Sequence, residues 1–306
     1  MKGNEPWPLN GVGRPVWCSR EKWLAGMADG PRDDRVLRLT WWVALLVAPI
    51  LVAAGVILYV FPGRTEALWA WPMGPEMTSL AVGGGYAAGA VLFLRSLRAG
   101  AWHRISLVFL VATVLTVGLL GATLLHWELF SHDHVSFWAW LVVYLVTPVL
   151  LPTVWLRNRR YDPGLPAPGT PLVPRWVRRL VGAFGIAQIS VAVVFYARPA
   201  LGMALWPWDL SPLTTRTLAS FLAFIGAMWL AFLFEGRWSA LRLHVESATL
   251  GLALVAFGAL RATGDLTAGP EATIAFGVLL GGTLTGLVAL QVGMRRVTPA
   301  TPTAPP

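Results

Sequence analysis

Charge is what this chain has least of. Only 13% of its 306 residues are Asp, Glu, Lys or Arg, and the mean hydropathy is +0.62. Soluble globular domains average about 25% charged residues, so a soluble single domain and a disordered chain are both excluded. Cysteine is almost missing. Cys18 stands alone, which excludes an intrachain disulfide framework. The sequence also lacks a Walker phosphate loop, a Cys pair and an H-E-x-x-H zinc helix. Its opening, Met1-Lys2-Gly3-Asn4-Glu5-Pro6, has no apolar signal core, and Lys2 stands where a myristoylated glycine would be.

Apolar and aromatic residues are what it has instead. Hydrophobic residues make up 56% of the chain and 17 residues are Trp, a load suited to membrane-interface belts. A helix needs roughly 20 apolar residues to cross the hydrocarbon of a bilayer. Eight stretches predict such helices: Leu39–Phe61, Thr78–Leu97, Ile105–His126, Phe137–Leu156, Leu180–Ala197, Thr217–Phe234, Leu243–Leu260 and Thr273–Val292. The fifth to seventh are short and are expected to run into their flanks or to tilt only slightly. The fold class is an all-α polytopic membrane bundle, with the first span as its own uncleaved insertion signal.

Lys and Arg give the orientation. Twenty of the 24 lie in the N-terminal segment, the even-numbered loops and the tail. The odd loops hold only Arg64, Arg198, Arg216 and Arg261. The positive-inside rule then puts both termini in the cytoplasm of a cell-membrane protein. The net charge of +9 reads as this topology signal and as a match to anionic lipid. It does not read as a nucleic-acid surface, because no basic cluster belongs to a folded soluble module.

A Pro-rich loop, Asp162 to Arg175, divides the chain, and the halves resemble each other. Tyr59, Pro62, Ala67-Leu68-Trp69, Trp71 and Pro75 recur as Tyr196, Pro199, Ala204-Leu205-Trp206, Trp208 and Pro212, each pair 137 residues apart. Gly121-Ala122 and Gly258-Ala259 keep that offset, as do Glu128 and Asp265. The expected organisation is a cytoplasmic segment (1–36), a first four-helix repeat (37–157) and a Pro/Arg-rich cytoplasmic linker (158–178). A second repeat (179–294) and a disordered cytoplasmic tail (295–306) follow. An even number of spans per unit makes the repeat parallel, about an axis along the membrane normal. Trp17, Trp23, Leu24 and Met27 fit either a short interfacial helix or an unstructured lead-in.

Four groups of residues carry candidate chemistry. Trp69, Trp71, Pro75 and Trp206, Trp208, Pro212 form two corners expected at headgroup depth, either structural or an aromatic site for a lipid-like ligand. Thr214 or Thr215 is the expected N-cap of the span that follows the second corner. His126, Glu128, His132, Asp133 and His134 crowd the third loop and read either as ligands to zinc or a similar divalent metal or as a solvated polar loop. Arg242, His244 and Glu246 lie near the cytoplasmic end of the seventh span, where Arg242 and Glu246 can pair. Gln188 lies deeper. A bis-His haem is not expected, since His126 and His244 fall at opposite faces. Gly83, Gly84, Gly85, Gly89 and Gly277, Gly281, Gly282, Gly286 have the spacing of close helix packing.

Trp206-Pro207-Trp208-Asp209-Leu210-Ser211-Pro212-Leu213-Thr214-Thr215-Arg216 resembles the W-P-W-x-L-T-P-L-T-x-R stretch of a group of uncharacterised bacterial multi-pass membrane proteins, with Ser211 in place of the usual Thr. The resemblance implies the fold class and a bacterial inner membrane, and supplies no catalytic residues. Three functions fit the pattern: transport or handling of an apolar or lipid-like molecule, a membrane-embedded enzyme or metal-binding protein using the outer His/Asp/Glu loop, and an accessory or scaffold subunit that binds other membrane proteins.

Overall fold

The computed structural model describes residues 32–297. Cys18, the apolar face around Trp17 and Trp23, and the tail from Thr298 lie outside the described residues. Eight long helices follow one another: α1 Arg38–Val60, α2 Glu76–Ser96, α3 Ser106–Leu125, α4 Val135–Asn158, α5 Arg175–Ala197, α6 Pro212–Leu230, α7 Trp238–Arg261 and α8 Pro270–Arg296. All eight are long and apolar enough to cross a membrane. The chain is therefore an all-α multi-pass membrane bundle. No strand occurs among the described residues.

The three short stretches lengthen as expected. α5 begins at Arg175 and α7 at Trp238, where Arg-bearing first turns continue the helix beyond the apolar run. α6 begins earlier than its apolar run because Ser211 caps it. The Ser211 Oγ accepts from Thr214 N at 3.2 Å, Thr214 Oγ1 accepts from Ser211 N at 2.8 Å, and Pro212 takes the first helical position. The expected cap at Thr214 or Thr215 is thus corrected by three residues or four. Pro at the first position needs no N–H partner, which moves the cap to the residue before it.

Helix ends meet on two faces. On the Arg-rich face Arg237 bonds Asp162, and Asp34 N donates to Tyr161 O. On the opposite face Met77 N donates to Asp265 Oδ2, and Arg216 reaches His126. The linker is pinned rather than free. Val173 is buried, its N–H donates to Gly236 O at 2.8 Å, and Trp238 N donates to Pro171 O at 3.3 Å.

The two halves interlock. α1 packs on α2 and α5 on α6; α2 then packs on α7, and α3 on α6; α3 also packs on α4 and α7 on α8. α2 is the most enclosed span, 61% buried, and α8 the least, at 11%. The outer apolar side chains of α5 and α8 therefore face lipid, where no water opposes their exposure.

Glycine sets the closest crossings. A Cβ on Gly83 would lie 2.9 Å from Tyr59 N, and one on Gly185 would lie 2.6 Å from Leu230 N and 2.7 Å from Gly226 O. Gly84, Gly85 and Gly89 also meet neighbours within 4 Å, as their spacing predicts. The second row differs. Nothing lies within 4 Å of the Cβ positions of Gly277, Gly281, Gly282 or Gly286, so the close packing expected there is absent among the described residues. α8 packs chiefly on α7, and among the described residues its glycines meet no neighbour.

Candidate functional site: an apolar cavity under the second tryptophan corner

A cavity of about 490 Å³ opens between α2, α5, α6, α7 and α8. Small residues make the room: Gly85 and Ala88 on α2, Ala248 and Gly251 on α7, Ala275 on α8. Large ones line the far walls, among them Phe221 and Ile225 on α6 and Phe276 on α8. The second corner covers its end on the face opposite the Arg-rich one. Trp208 is buried against Phe276, ring centroids 5.5 Å apart, and its Nε1 donates to Thr78 Oγ1 at 2.9 Å. Trp206 stacks edge-on to Trp208 at 5.3 Å.

The lining contains no Asp, Glu, Lys, Arg or His. Three other polar side chains of the lining donate to backbone carbonyls, and the Oε1 of Gln188 is left without a donor. Gln188 Nε2 donates to Leu222 O at 3.2 Å, Ser247 Oγ to Ala88 O at 2.6 Å, and Thr283 Oγ1 to Leu279 O at 2.7 Å. Two lining donors are left over. The indole N–H groups of Trp206 and Trp229 are buried without a partner. An unpaired buried donor costs about 1–3 kcal/mol, so both favour any acceptor that reaches them. Trp206 lies at the end under the corner and Trp229 near the Arg-rich end of α6. Together they bracket the cavity along much of its length.

A second, smaller space of about 60 Å³ lies between α1, α2, α3, α4 and α6. Here the first corner packs differently. Trp69 and Trp71 are buried against Trp140, with centroids 5.7 and 4.9 Å away, and the hydroxyls of Tyr86 and Tyr144 bond each other at 2.7 Å. Pro75 precedes α2 as its N-cap and Pro212 opens α6. The rings of Trp69, Trp71 and Trp208 turn into the bundle. Trp69, Trp71 and Trp208 are all under 8% exposed, because the following helices fold aromatic and small residues over them.

The third loop does not assemble as a metal centre. No group of three or more His, Cys, Asp or Glu among the described residues is placed to share an ion. His126 Nε2 faces Arg216 Nη1 at 2.7 Å. Burial, and then the Arg216 charge, lowers the pKa of His126, which keeps the imidazole neutral and its lone pair engaged. A cation there repels a second cation. His132 packs its ring between Trp127 and Phe137, 5.0 and 4.7 Å away, and does not turn outward. His134 sits at the N-cap position of α4, while Glu128 and Asp133 are exposed.

On the Arg-rich side Glu246 accepts from Arg242 Nε at 2.6 Å, as its spacing predicts, and also pairs with Arg95 of α2. His244 does not reach toward the surface. It is buried, and neither ring nitrogen has a partner. Sequence reading missed Trp229 and the alanines of the cavity wall. Neither type stands out in a chain this rich in both.

The fold and cavity define a multi-pass α-helical membrane protein with an internal apolar chamber. No family model, curated protein or solved structure matches this chain.

Proposed function

We propose that this protein binds and handles an uncharged, lipid-like amphiphile in the chamber under Trp206 and Trp208. The observation that carries this reading is the uncharged lining, in which the buried indole N–H groups of Trp206 and Trp229 have no partner. Its volume lies within the usual range for small-molecule sites. Within a bilayer, apolar contact alone gives little preference over lipid tails. Selection then falls to shape and to the two indole N–H groups, which favour a carbonyl, ether or hydroxyl oxygen. A phosphate or carboxylate has no cation here to meet it.

The ligand site lies under the corner of the second half of a duplicated scaffold, with α2 of the first half as one wall. Two reciprocal bonds support the duplication. Tyr59 hydroxyl donates to Leu254 O at 2.7 Å and Tyr196 hydroxyl to Gly118 O at 2.8 Å. Trp102 N donates to Asp34 O as Trp238 N does to Pro171 O. In the first half Trp140 and Tyr144 fill the space beside the corner. In the second half Phe276 and the small residues of α8 leave it open. Duplication followed by emptying of one chamber explains why the two corners share a sequence and differ in surroundings.

Extraction of the purified protein should release about one neutral lipid per chain, measured by mass spectrometry. Ala187→Phe and Ala275→Phe each add a ring to the cavity wall and should lower that content by roughly tenfold or more, the effect of about 1.4 kcal/mol of lost binding. Equal lipid content in wild type and in both variants, all monodisperse, would remove this reading.

The Arg-rich face is assigned to the cytoplasm on its charge. Cys18, the single thiol, reads this directly. It should resist a membrane-impermeant maleimide in intact cells and react after permeabilisation. Labelling of intact cells would reverse the orientation.

A further inference from the structure

We propose that Asp34, His103 and Ser239 form a serine acyl-hydrolase site at the Arg-rich face, with Ser239 Oγ as the nucleophile. Three separate segments build it: the strand of chain before α1, the 3-10 turn Trp102–Arg104 before α3, and the first turn of α7. His103 Nδ1 bonds Asp34 Oδ2, and His103 Nε2 lies 3.0 Å from Ser239 Oγ. The carboxylate on Nδ1 selects the tautomer with its proton there. The Nε2 lone pair then faces the Ser239 hydroxyl, the arrangement a general base requires.

Asp34 is fixed on every side. Its Oδ1 accepts from His103 N at 2.9 Å, its O accepts from Trp102 N at 2.7 Å, and its N donates to Tyr161 O at 2.9 Å. Its φ is +55°, and among the described residues no other non-glycine has a positive φ. That conformation is uncommon and is tolerated best by Asp and Asn. Here it turns the carboxylate under the imidazole. His103 is buried and Ser239 half-buried, so the base is shielded from solvent.

Ser239 is the second residue of α7. Trp238, Ala240 and Leu241 direct their N–H groups to Pro171 O and Arg237 O. The Ser239 N–H has no acceptor among the described residues. It lies at a helix N-terminus, where free N–H groups and the helix dipole favour negative charge. This donor is the oxyanion contact. Ser239 Oγ attacks an ester carbonyl carbon while His103 Nε2 takes its proton, and the carbonyl oxygen becomes the oxyanion beside Ser239 N–H. Collapse breaks the C–O bond, and the alcohol leaves with the proton from His103. Water then attacks the acyl-serine, giving its proton to His103, and collapse breaks the C–Oγ bond as His103 returns that proton to Ser239 Oγ, releasing the carboxylic acid. Asp34 acts through His103 as a positioning residue.

The substrate class follows from depth. His103 and Ser239 stand where α3 and α7 leave the hydrocarbon, beside the exposed Arg104. An amphiphile with its chain in the bilayer presents an acyl ester at that level. The site thus suits the carboxylic ester of a membrane lipid.

Full-length protein in detergent should react with a fluorophosphonate probe, with the adduct on the peptide containing Ser239. Ser239→Ala should abolish the adduct while eluting as wild type does on gel filtration. His103→Gln should slow labelling by at least about 100-fold, the lower range for loss of a general base. Asp34→Asn should slow it comparably and shift the pH profile, because an amide no longer fixes the tautomer. A medium-chain p-nitrophenyl ester should be hydrolysed with the same order of variants. An unlabelled Ser239 in folded wild type, or labelling that His103→Gln leaves unchanged, would falsify the proposal and leave the trio as a brace between three segments.

Discussion

Gly185→Leu should abolish the folded protein, while Gly281→Leu should leave it intact. Both glycines belong to apolar spans, and the substitution is the same. Their surroundings decide the difference. At Gly185 the α5 and α6 backbones touch: an added Cβ would lie 2.6 Å from Leu230 N, 2.7 Å from Gly226 O and 2.9 Å from Trp229 Cβ. Two of these atoms are backbone and cannot rotate away. Overpacking usually costs about 1–3 kcal/mol. A clash against main chain across a principal helix pair should exceed the upper end. Gly226→Leu should match it, because its Cβ would meet Ile189 Cγ1 at 2.8 Å and Gly185 O at 3.1 Å. Gly281 has open space, and a leucine there faces lipid. Fluorescence-detected gel filtration of membrane extracts checks this. A normal monodisperse peak for Gly185→Leu would mean that α5 and α6 do not cross at these glycines.

That contrast also marks how far the sequence can be read. All eight spans were legible, because a run of apolar residues long enough to cross a bilayer has few alternatives. Which glycines are packed was not legible. Gly83–Gly89 and Gly277–Gly286 have the same spacing, and only their neighbours differ. α2 is central and α8 peripheral, and no local pattern encodes that. Gly185 and Gly226 escaped notice although they bear on the closest crossing. Each is a single glycine whose partner is 41 residues away.

Chemistry was harder to read than topology for the same reason. The third loop gathers histidines and carboxylates within nine residues, so sequence spacing singles them out. In space Arg216, 90 residues on, takes His126, and Trp127 and Phe137 take His132. The paired corners stand out in the sequence, but the burial of their rings does not. Trp side chains at a span end fit either the headgroup layer or an aromatic core. The choice rests on what α4 and α8 bring alongside. Asp34, His103 and Ser239 carry no motif at all. They are separated by 69 and 136 residues and sit among ordinary neighbours. Only the fold brings them together.

Arg237→Met should give a large loss of stability at neutral pH that shrinks in acid. Arg237 holds Asp162 through two parallel bonds, Nη1 to Oδ1 at 2.6 Å and Nη2 to Oδ2 at 2.9 Å. It also bonds Glu235 through Nε and Nη2, the latter at 2.6 Å. Such forked guanidinium pairs are among the stronger charge-assisted bonds. All three side chains are at most 20% exposed. Removing the cation leaves two poorly hydrated carboxylates facing each other at the junction of linker and α7. Breaking a buried pair from one side costs about 3–5 kcal/mol, and partial exposure here puts the value near the lower end. The melting temperature should fall by roughly 5–10 °C. Burial, the largest single influence, would raise the pKa of Asp162, but the hydrogen bonds from Arg237 and from Gly164 N–H together with the Arg237 charge outweigh it and hold the carboxyl below its ordinary range. A depressed folded pKa gives stability that is present above the unfolded value, about 3.9, and lost as pH falls through the folded value. In Arg237→Met chiefly the Gly164 N–H still opposes burial, so Asp162 is destabilising when charged and is relieved by protonation. The gap between wild type and variant should therefore be widest near pH 7 and narrow steadily toward pH 4. Asp162→Asn added to Arg237→Met should recover part of the loss, since an amide needs no counter-ion. A gap that stays constant with pH would show that Arg237 acts through its methylene stem and not its charge.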